Sequence, residues 1–139
     1  MKILNLSLSF LLLITPVYAQ TYQWSIDHVV DGDTVKVNLP SIPFKLNPIS
    51  VRILGIDTPE KGDLAKCKKE RELAEKATAF SQQAFKQGKI IQFINVKGWD
   101  KYHRILAEVI IDGKNLGRLL IENGLAREYK GGKRAGWCK

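Results

Sequence analysis

One long amphipathic helix pattern, flanked on both sides by strand patterns, constrains this chain more than any other feature. Leu73, Ala77, Phe80 and Ala84 recur at helical spacing between Asp63, a candidate N-cap, and Gly88, a residue suited to the left-handed position that ends helices. The opposite face (Lys66, Lys68, Lys69, Glu70, Arg71, Glu72, Glu75, Lys76) reads as solvated surface with i,i+4 pairs. A helix with one apolar stripe needs a sheet or another helix to lie on, and strand patterns supply it. Val29-Val30, the Asp31-Gly32 turn signal and the alternation of Thr34 to Leu39 predict a hairpin. Residues 40–48 carry three prolines, which lack a ladder donor, and predict an irregular connection. Ile49 to Ile56 predicts a third strand, with Gly55 marking a bulge or close approach and Asp57-Thr58-Pro59-Glu60 turning the chain off the sheet. Beyond the helix, Ile90 to Val96 and Ile105 to Ile111 read as two more strands, and Leu116, Leu119, Leu120 and Leu125 as a short helix ending near Gly124. The order β-β-β-α-β-β-α predicts an α+β fold: a five-stranded Greek-key β-barrel of the OB type, an OB-fold, with a long helix after strand three and a short C-terminal helix. Helical bundles and parallel α/β folds do not have this order. Lys130 to Arg134 reads as a mobile basic tail.

The start of the chain is expected to be an address. Lys2, the apolar run Ile3 to Ile14, the helix breaker Pro16 and the small residues of Val17-Tyr18-Ala19 predict a signal peptide over 1–19, cleaved before Gln20. Its apolar run is shorter than the roughly 20 residues a membrane-spanning helix needs, so no stable membrane insertion is expected after cleavage. The mature chain, 20–139, then forms a single domain that is periplasmic or secreted, and a monomer is the expected state. Its two cysteines, Cys67 and Cys138, suggest one disulfide in an exported protein; the alternative is two separate thiols, one on a helix and one in a tail. With 22 Lys and Arg against 14 Asp and Glu, the net charge of +8 favours an acidic partner, nucleic acid or an anionic surface.

Against that basic background the acids of the first half cluster. Asp31 and Asp33 sit at the first hairpin, Asp57 and Glu60 just past the third strand. A hard divalent cation takes carboxylate and carbonyl oxygens from convergent loops, which makes Asp33, Asp57 and the main chain of Thr58 candidate ligands; ordinary turn chemistry is the competing explanation. No zinc-ligand spacing, Gly-x-Ser-x-Gly motif or phosphate-cradling glycine loop is present. Arg52 stands inside the apolar run Val51-Arg52-Ile53-Leu54, and Arg104 follows Asp100-Lys101-Tyr102-His103. A guanidinium forks two donors onto phosphate oxygens, so arginines near a carboxylate cluster suit a phosphodiester whose transition state gains negative charge. Taken alone, an outward-facing strand position for Arg52 and an ordinary hairpin for Asp100 to Arg104 are the better explanation.

Three segments taken in order decide between these. Val29-Val30-Asp31-Gly32-Asp33-Thr34-Val35, Val51-Arg52-Ile53-Leu54-Gly55-Ile56-Asp57-Thr58-Pro59-Glu60 and Asp100-Lys101-Tyr102-His103-Arg104-Ile105-Leu106-Ala107 resemble the staphylococcal nuclease (thermonuclease) family, and the likeness extends over roughly residues 24–130. The resemblance implies an OB-fold enzyme that hydrolyses DNA and RNA with Ca²⁺, preferring single-stranded or unpaired regions and leaving 3′-phosphate ends. It implies Asp33, Asp57 and the Thr58 carbonyl as metal ligands, and Glu60 orienting or deprotonating the attacking water. Arg52 and Arg104 would clamp the phosphate, Lys101 and Tyr102 would contact a terminal phosphate, and Tyr129 would pack beside base or sugar. Two departures stand out: His103 occupies a place where the family often has glycine, and the chain stops soon after Tyr129, so a Cys67–Cys138 bridge would pin the short tail to the long helix. The competing function is an OB-fold module that binds nucleic acid without cutting it.

Overall fold

The computed structural model describes residues 19–139; apart from Ala19, the expected signal peptide lies outside them. The elements are β1 (Ser25–Asp31), β2 (Thr34–Asn38), β3 (Ile49–Ile53), β4 (Ile56–Asp57), α1 (Lys68–Gln87), β5 (Ile91–Ile94), β6 (Ile105–Ile111), β7 (Lys114–Asn115), α2 (Leu116–Glu122) and β8 (Arg127–Glu128). Five of them form one curled sheet in the order β1-β2-β3-β6-β5, with β7 added to β6. All its pairings are antiparallel except β3 with β6, where Val51, Arg52 and Ile53 lie opposite Ile105, Leu106 and Ala107. Ahead of β1, Tyr22 exchanges two main-chain hydrogen bonds with Phe93 of β5, at 2.9 and 2.8 Å, and draws the two ends of the sheet together. The OB-type α+β fold expected from the element order is the one observed.

The core follows from the alternation. Along β6 every second residue, from Ile105 to Ile111, is buried, and Val35, Val37, Val51, Ile53, Phe93, Ala107 and Val109 meet inside. Side chains of successive strand residues point to opposite faces, so one alternating run specifies one buried face. Helix α2 adds Leu116 and Leu120, both without exposed surface.

Four local expectations need correction. The third strand does not run to Ile56: it ends at Ile53, Gly55 turns the chain at φ 79°, and Ile56–Asp57 leaves the sheet to pair with β8. Asp63 does not cap the long helix, because it sits in a separate 3-10 turn, Gly62–Leu64; Cys67 is the N-cap, its Sγ accepting the Glu70 amide at 3.4 Å. Gly88 is not left-handed, with φ −63°; its glycine is explained by space, since a Cβ there would come within 2.5 Å of the Ile111 Cγ2. The buried face of α1 is also rotated from the expected one: Ala74, Ala77, Thr78, Ser81 and Phe85 are buried, together with Glu70, which looked like one more solvated charge. The reason is a close approach of backbone to helix. The Ser81 hydroxyl donates to the Gly32 carbonyl at 2.7 Å, and a Cβ at Gly32 would lie 2.8 Å from that of Ala77, so small residues set the contact line.

The basic tail is likewise not a free one. It turns back across the molecule to Trp137, which is 5% exposed with the Arg127 guanidinium 3.8 Å from its ring centre. Arg127 also donates to the Gly136 carbonyl at 2.7 Å, and Cys138 reaches Cys67 at disulfide distance, Cα atoms 5.9 Å apart. Among the described residues no helix is long and apolar enough to cross a membrane.

Candidate active site

Strand pairing brings the two acidic segments together. Thr34 lies opposite Arg52 in the β2–β3 ladder, and the Ile53 amide donates to the Asp33 carbonyl at 2.8 Å, so the end of the first hairpin abuts the end of β3. Asp33 and Asp57 are both nearly buried, at 5% and 4% exposure. Asp33 is well supplied: Oδ2 accepts the Thr58 amide at 3.0 Å and hydroxyl at 2.8 Å, Oδ1 accepts the Thr34 hydroxyl at 3.1 Å, and Arg52 Nη1 stands 2.8 Å away. Arg52 is held in turn by donating to the carbonyls of Ile53 and Ile56, and its Nη2 lies 3.7 Å from Asp57 Oδ1. Its side chain thus points into the acids and is only 13% exposed, not outward.

Asp57 is supplied with charge but not with hydrogen bonds. Its buried Oδ1 is met by Arg134 Nε at 2.5 Å, a short charge contact of poor hydrogen-bond alignment, and by no backbone donor. Burial pushes its carboxyl above the usual range; Arg134 and Arg52 oppose that shift, while Asp33 adds to it. Asp31 behaves similarly: burial first, then the charge of Asp33, raise it to about 6. An anionic cluster with a buried oxygen lacking a donor is the kind of donor set a hard cation satisfies, so the Asp33, Asp57 and Thr58 oxygens fit one.

These acids form one wall of a cleft of about 670 Å³ whose lining includes Asp31, Asp33, Arg52, Thr58, Glu60, Lys101, Tyr102, Arg104, Tyr129 and Arg134. Nine of the eleven residues expected at the site and its tail anchor are therefore in or behind one cavity; Cys67 and Cys138 lie apart, beside the start of α1. Glu60 is positioned by its amide, which donates to Glu70 Oε1 at 3.3 Å, and Glu70 Oε2 accepts the Lys66 amide at 2.8 Å, which accounts for burying a helix glutamate. Across the cleft Arg104 is parked on Asp100, with Nε and Nη2 each 2.8 Å from Oδ2, and stands 5.1 Å from the Tyr102 ring centre, which Lys101 also approaches to 5.0 Å. Burial works against the Asp100 charge, but donors from the Arg104 backbone and side chain and from the Tyr102 amide outweigh it and hold its carboxyl below the usual range. His103 adopts φ 57°, the left-handed region that glycine enters freely, so the turn before Arg104 keeps a glycine-like shape at the expense of some strain. Tyr129 donates its hydroxyl to the Gly132 carbonyl and its amide to that of Gly55.

The sequence reading missed Arg134. Its Nη1 contacts Glu60 Oε1 and its Nη2 donates to the Thr58 carbonyl at 3.1 Å, besides the approach to Asp57. The one pointer was Cys138, four residues on: a bond to Cys67, which lies close behind Glu60, has to return this part of the tail to the acids.

The family model for the Staphylococcal nuclease homologue domain matches residues 50–136, from β3 through Arg134 to the tail. The chain belongs to the staphylococcal nuclease family. It is 36% identical over 104 residues to the SPbeta prophage-derived endonuclease YokF of Bacillus subtilis (strain 168), a match covering 74% of this chain and 33% of that protein. It is also 34% identical over 104 residues to Endonuclease YncB of the same organism, a match covering 74% of this chain and 46% of that protein. This staphylococcal-nuclease domain therefore spans less than half the length of these curated relatives.

Proposed function

We propose that this chain is an exported, Ca²⁺-dependent nuclease that hydrolyses phosphodiester bonds of DNA and RNA and leaves 3′-phosphate ends. The observation that carries this reading is the meeting, at one cleft of a basic chain, of Asp33, Arg52, Glu60 and Arg104 on its walls with Asp57 buried just behind them. Family membership and two relatives named endonucleases support it.

In this reading Asp33, Asp57 and the Thr58 carbonyl would hold the calcium ion, which would supply positive charge to the scissile phosphate. Glu60 orients the attacking water and takes its proton as the new P–O bond forms. The bond from phosphorus to the 5′-oxygen then breaks, leaving the phosphate on the 3′ side, and the departing 5′-oxygen takes up a proton from solvent to become a hydroxyl. Arg52, rigidly donated into the acid wall, and Arg104, which exchanges Asp100 for the substrate, neutralise the charge that grows on the phosphoryl oxygens. Lys101 and Tyr102 receive the terminal phosphate, and Tyr129 packs beside base or sugar. Backbone and stacked bases are read without a base code, so single-stranded or unpaired DNA and RNA both serve. Export by residues 1–19 to the periplasm or medium places Cys67 and Cys138 where their disulfide persists, and the domain works as a monomer.

Digestion of labelled single-stranded DNA by residues 20–139, with Ca²⁺, Mg²⁺ or a chelator and end-group analysis of the fragments, tests the proposal. Calcium-dependent cutting with 3′-phosphate ends is the expected result. Tight binding without cutting under any cation would move the chain to the non-cleaving modules.

A further inference from the structure

The tail places a guanidinium on the groups that the proposed function reserves for a metal ion and its water. One side chain, Arg134, spans Asp57 Oδ1 at 2.5 Å, the Thr58 carbonyl at 3.1 Å and Glu60 Oε1. We infer that Arg134 is a built-in competitor of the divalent ion: guanidinium and ion are alternative occupants of one seat, and the anchored tail sets how readily the arginine yields it. The inference rests on the calcium reading above and deepens it.

Exclusion follows from distance. Arg134 covers two of the three proposed ligands together, Asp57 Oδ1 at 2.5 Å and the Thr58 carbonyl at 3.1 Å, and also Glu60, so its guanidinium lies where an ion reaching both oxygens would sit, and the two positive charges repel. The arginine therefore has to leave, and the structure lets it. Its side chain is 41% exposed, against 13% for Arg52, which is also tied to two carbonyls and has no comparable exit. Residues 130–136 are exposed, with Gly131 and Gly132 at φ 94° and 85°, conformations with no side chain to hold them.

Withdrawal need not release the tail. Tyr129 is bonded to Gly55 on one side, and Trp137 and Cys138 are anchored on the other. The arginine thus stays tethered at a high effective concentration and returns when the ion leaves. In the absence of an ion it also spares Asp57 and Glu60 an unpaired charge.

Calorimetric titration of Ca²⁺ alone into oxidised residues 20–139 tests this without reference to cleavage. Arg134→Ala should bind Ca²⁺ about tenfold more tightly than the parent, the effect of removing a charge-assisted contact from a carboxylate. Lys133→Ala, which removes the same charge one residue away, should leave the affinity near the parent value. Cys67→Ser with Cys138→Ser should tighten binding in the parent by a smaller factor and do nothing further once Arg134 is replaced. Circular dichroism checks each fold, and Arg134→Gln, which keeps a donor for the Thr58 carbonyl, makes the same comparison if the alanine variant is unstable. Equal or weaker Ca²⁺ binding by Arg134→Ala, or an equal gain from Lys133→Ala, overturns the inference while the calcium reading stands. No Ca²⁺ binding by parent or variant overturns both.

Discussion

Asp33 and Asp57 are held by strand pairing, by β4 against β8 and by donors on neighbouring backbone, whereas Arg134, which meets Asp57 in the same cleft, is carried by a tail without regular structure. The barrel positions its acids through many short-range bonds that form or break together. The tail positions its arginine through a few separate anchors: one buried indole, one carbonyl contact from Arg127 and one pair of cysteines. Precision on one side and reversibility on the other follow from this difference, because a cooperative unit cannot yield one residue while a sparsely anchored segment can.

The strongest test of that contrast compares two aromatic residues. Phe93→Ala should destabilise the barrel by about 3–5 kcal/mol in urea denaturation, because its ring is fully buried and stacks on Trp24 at 4.8 Å. Next in size, Arg52→Ala should lower the cleavage rate by about 10²-fold or more in single-turnover assays, the usual loss when a charge-stabilising donor is removed. Trp137→Ala should cost only about 1–2 kcal/mol in the same urea titration, less than its buried indole would in the barrel, since the tail can peel away before the barrel opens. A loss matching that of Phe93→Ala would show that tail and barrel are one cooperative unit, and the contrast would fall.

Smaller effects sharpen the comparison on the barrel side. His103→Gly should raise stability by about 0.5–1 kcal/mol, because it relieves a left-handed conformation at φ 57° that a Cβ disfavours. The least effect belongs to Asp112, whose carboxylate accepts the Ile90 and Lys89 amides at 2.8 and 3.1 Å; these bonds hold its carboxyl below the usual range. A depressed folded value means a contribution present above the unfolded value, near 3.8, and lost as pH falls through the folded one. Melting curves of parent and Asp112→Asn should therefore differ slightly at neutral pH and converge in acid.

How far the molecule could be read in advance depended on the range of each contact. The barrel order was legible because alternation in β2 and the apolar runs of β3 and β6, each set off by turn residues, are local signals of strands. The acid wall was legible too, since Asp33, Arg52, Asp57, Thr58 and Glu60 fall in two short segments joined by one ladder. The rotation of α1 was not, because hydrophobicity marks apolar side chains while this contact is made by Ala77, Ser81 and Gly32. Glu70 had the sequence neighbourhood of an exposed charge; only the amides of Glu60 and Lys66, brought to it by the fold, make its burial tolerable. Arg134 reaches residues 74 to 77 positions back in the chain, and no periodicity connects them.

The bridge between Tyr22 and Phe93 has a consequence for how the molecule avoids its own kind. It occupies main-chain donors and acceptors of β5 that would otherwise form a bare outer border of the sheet. A shortened version beginning at Trp24 would leave that border open as a template for another molecule's strand, and solutions of it would tend towards edge-to-edge polymers.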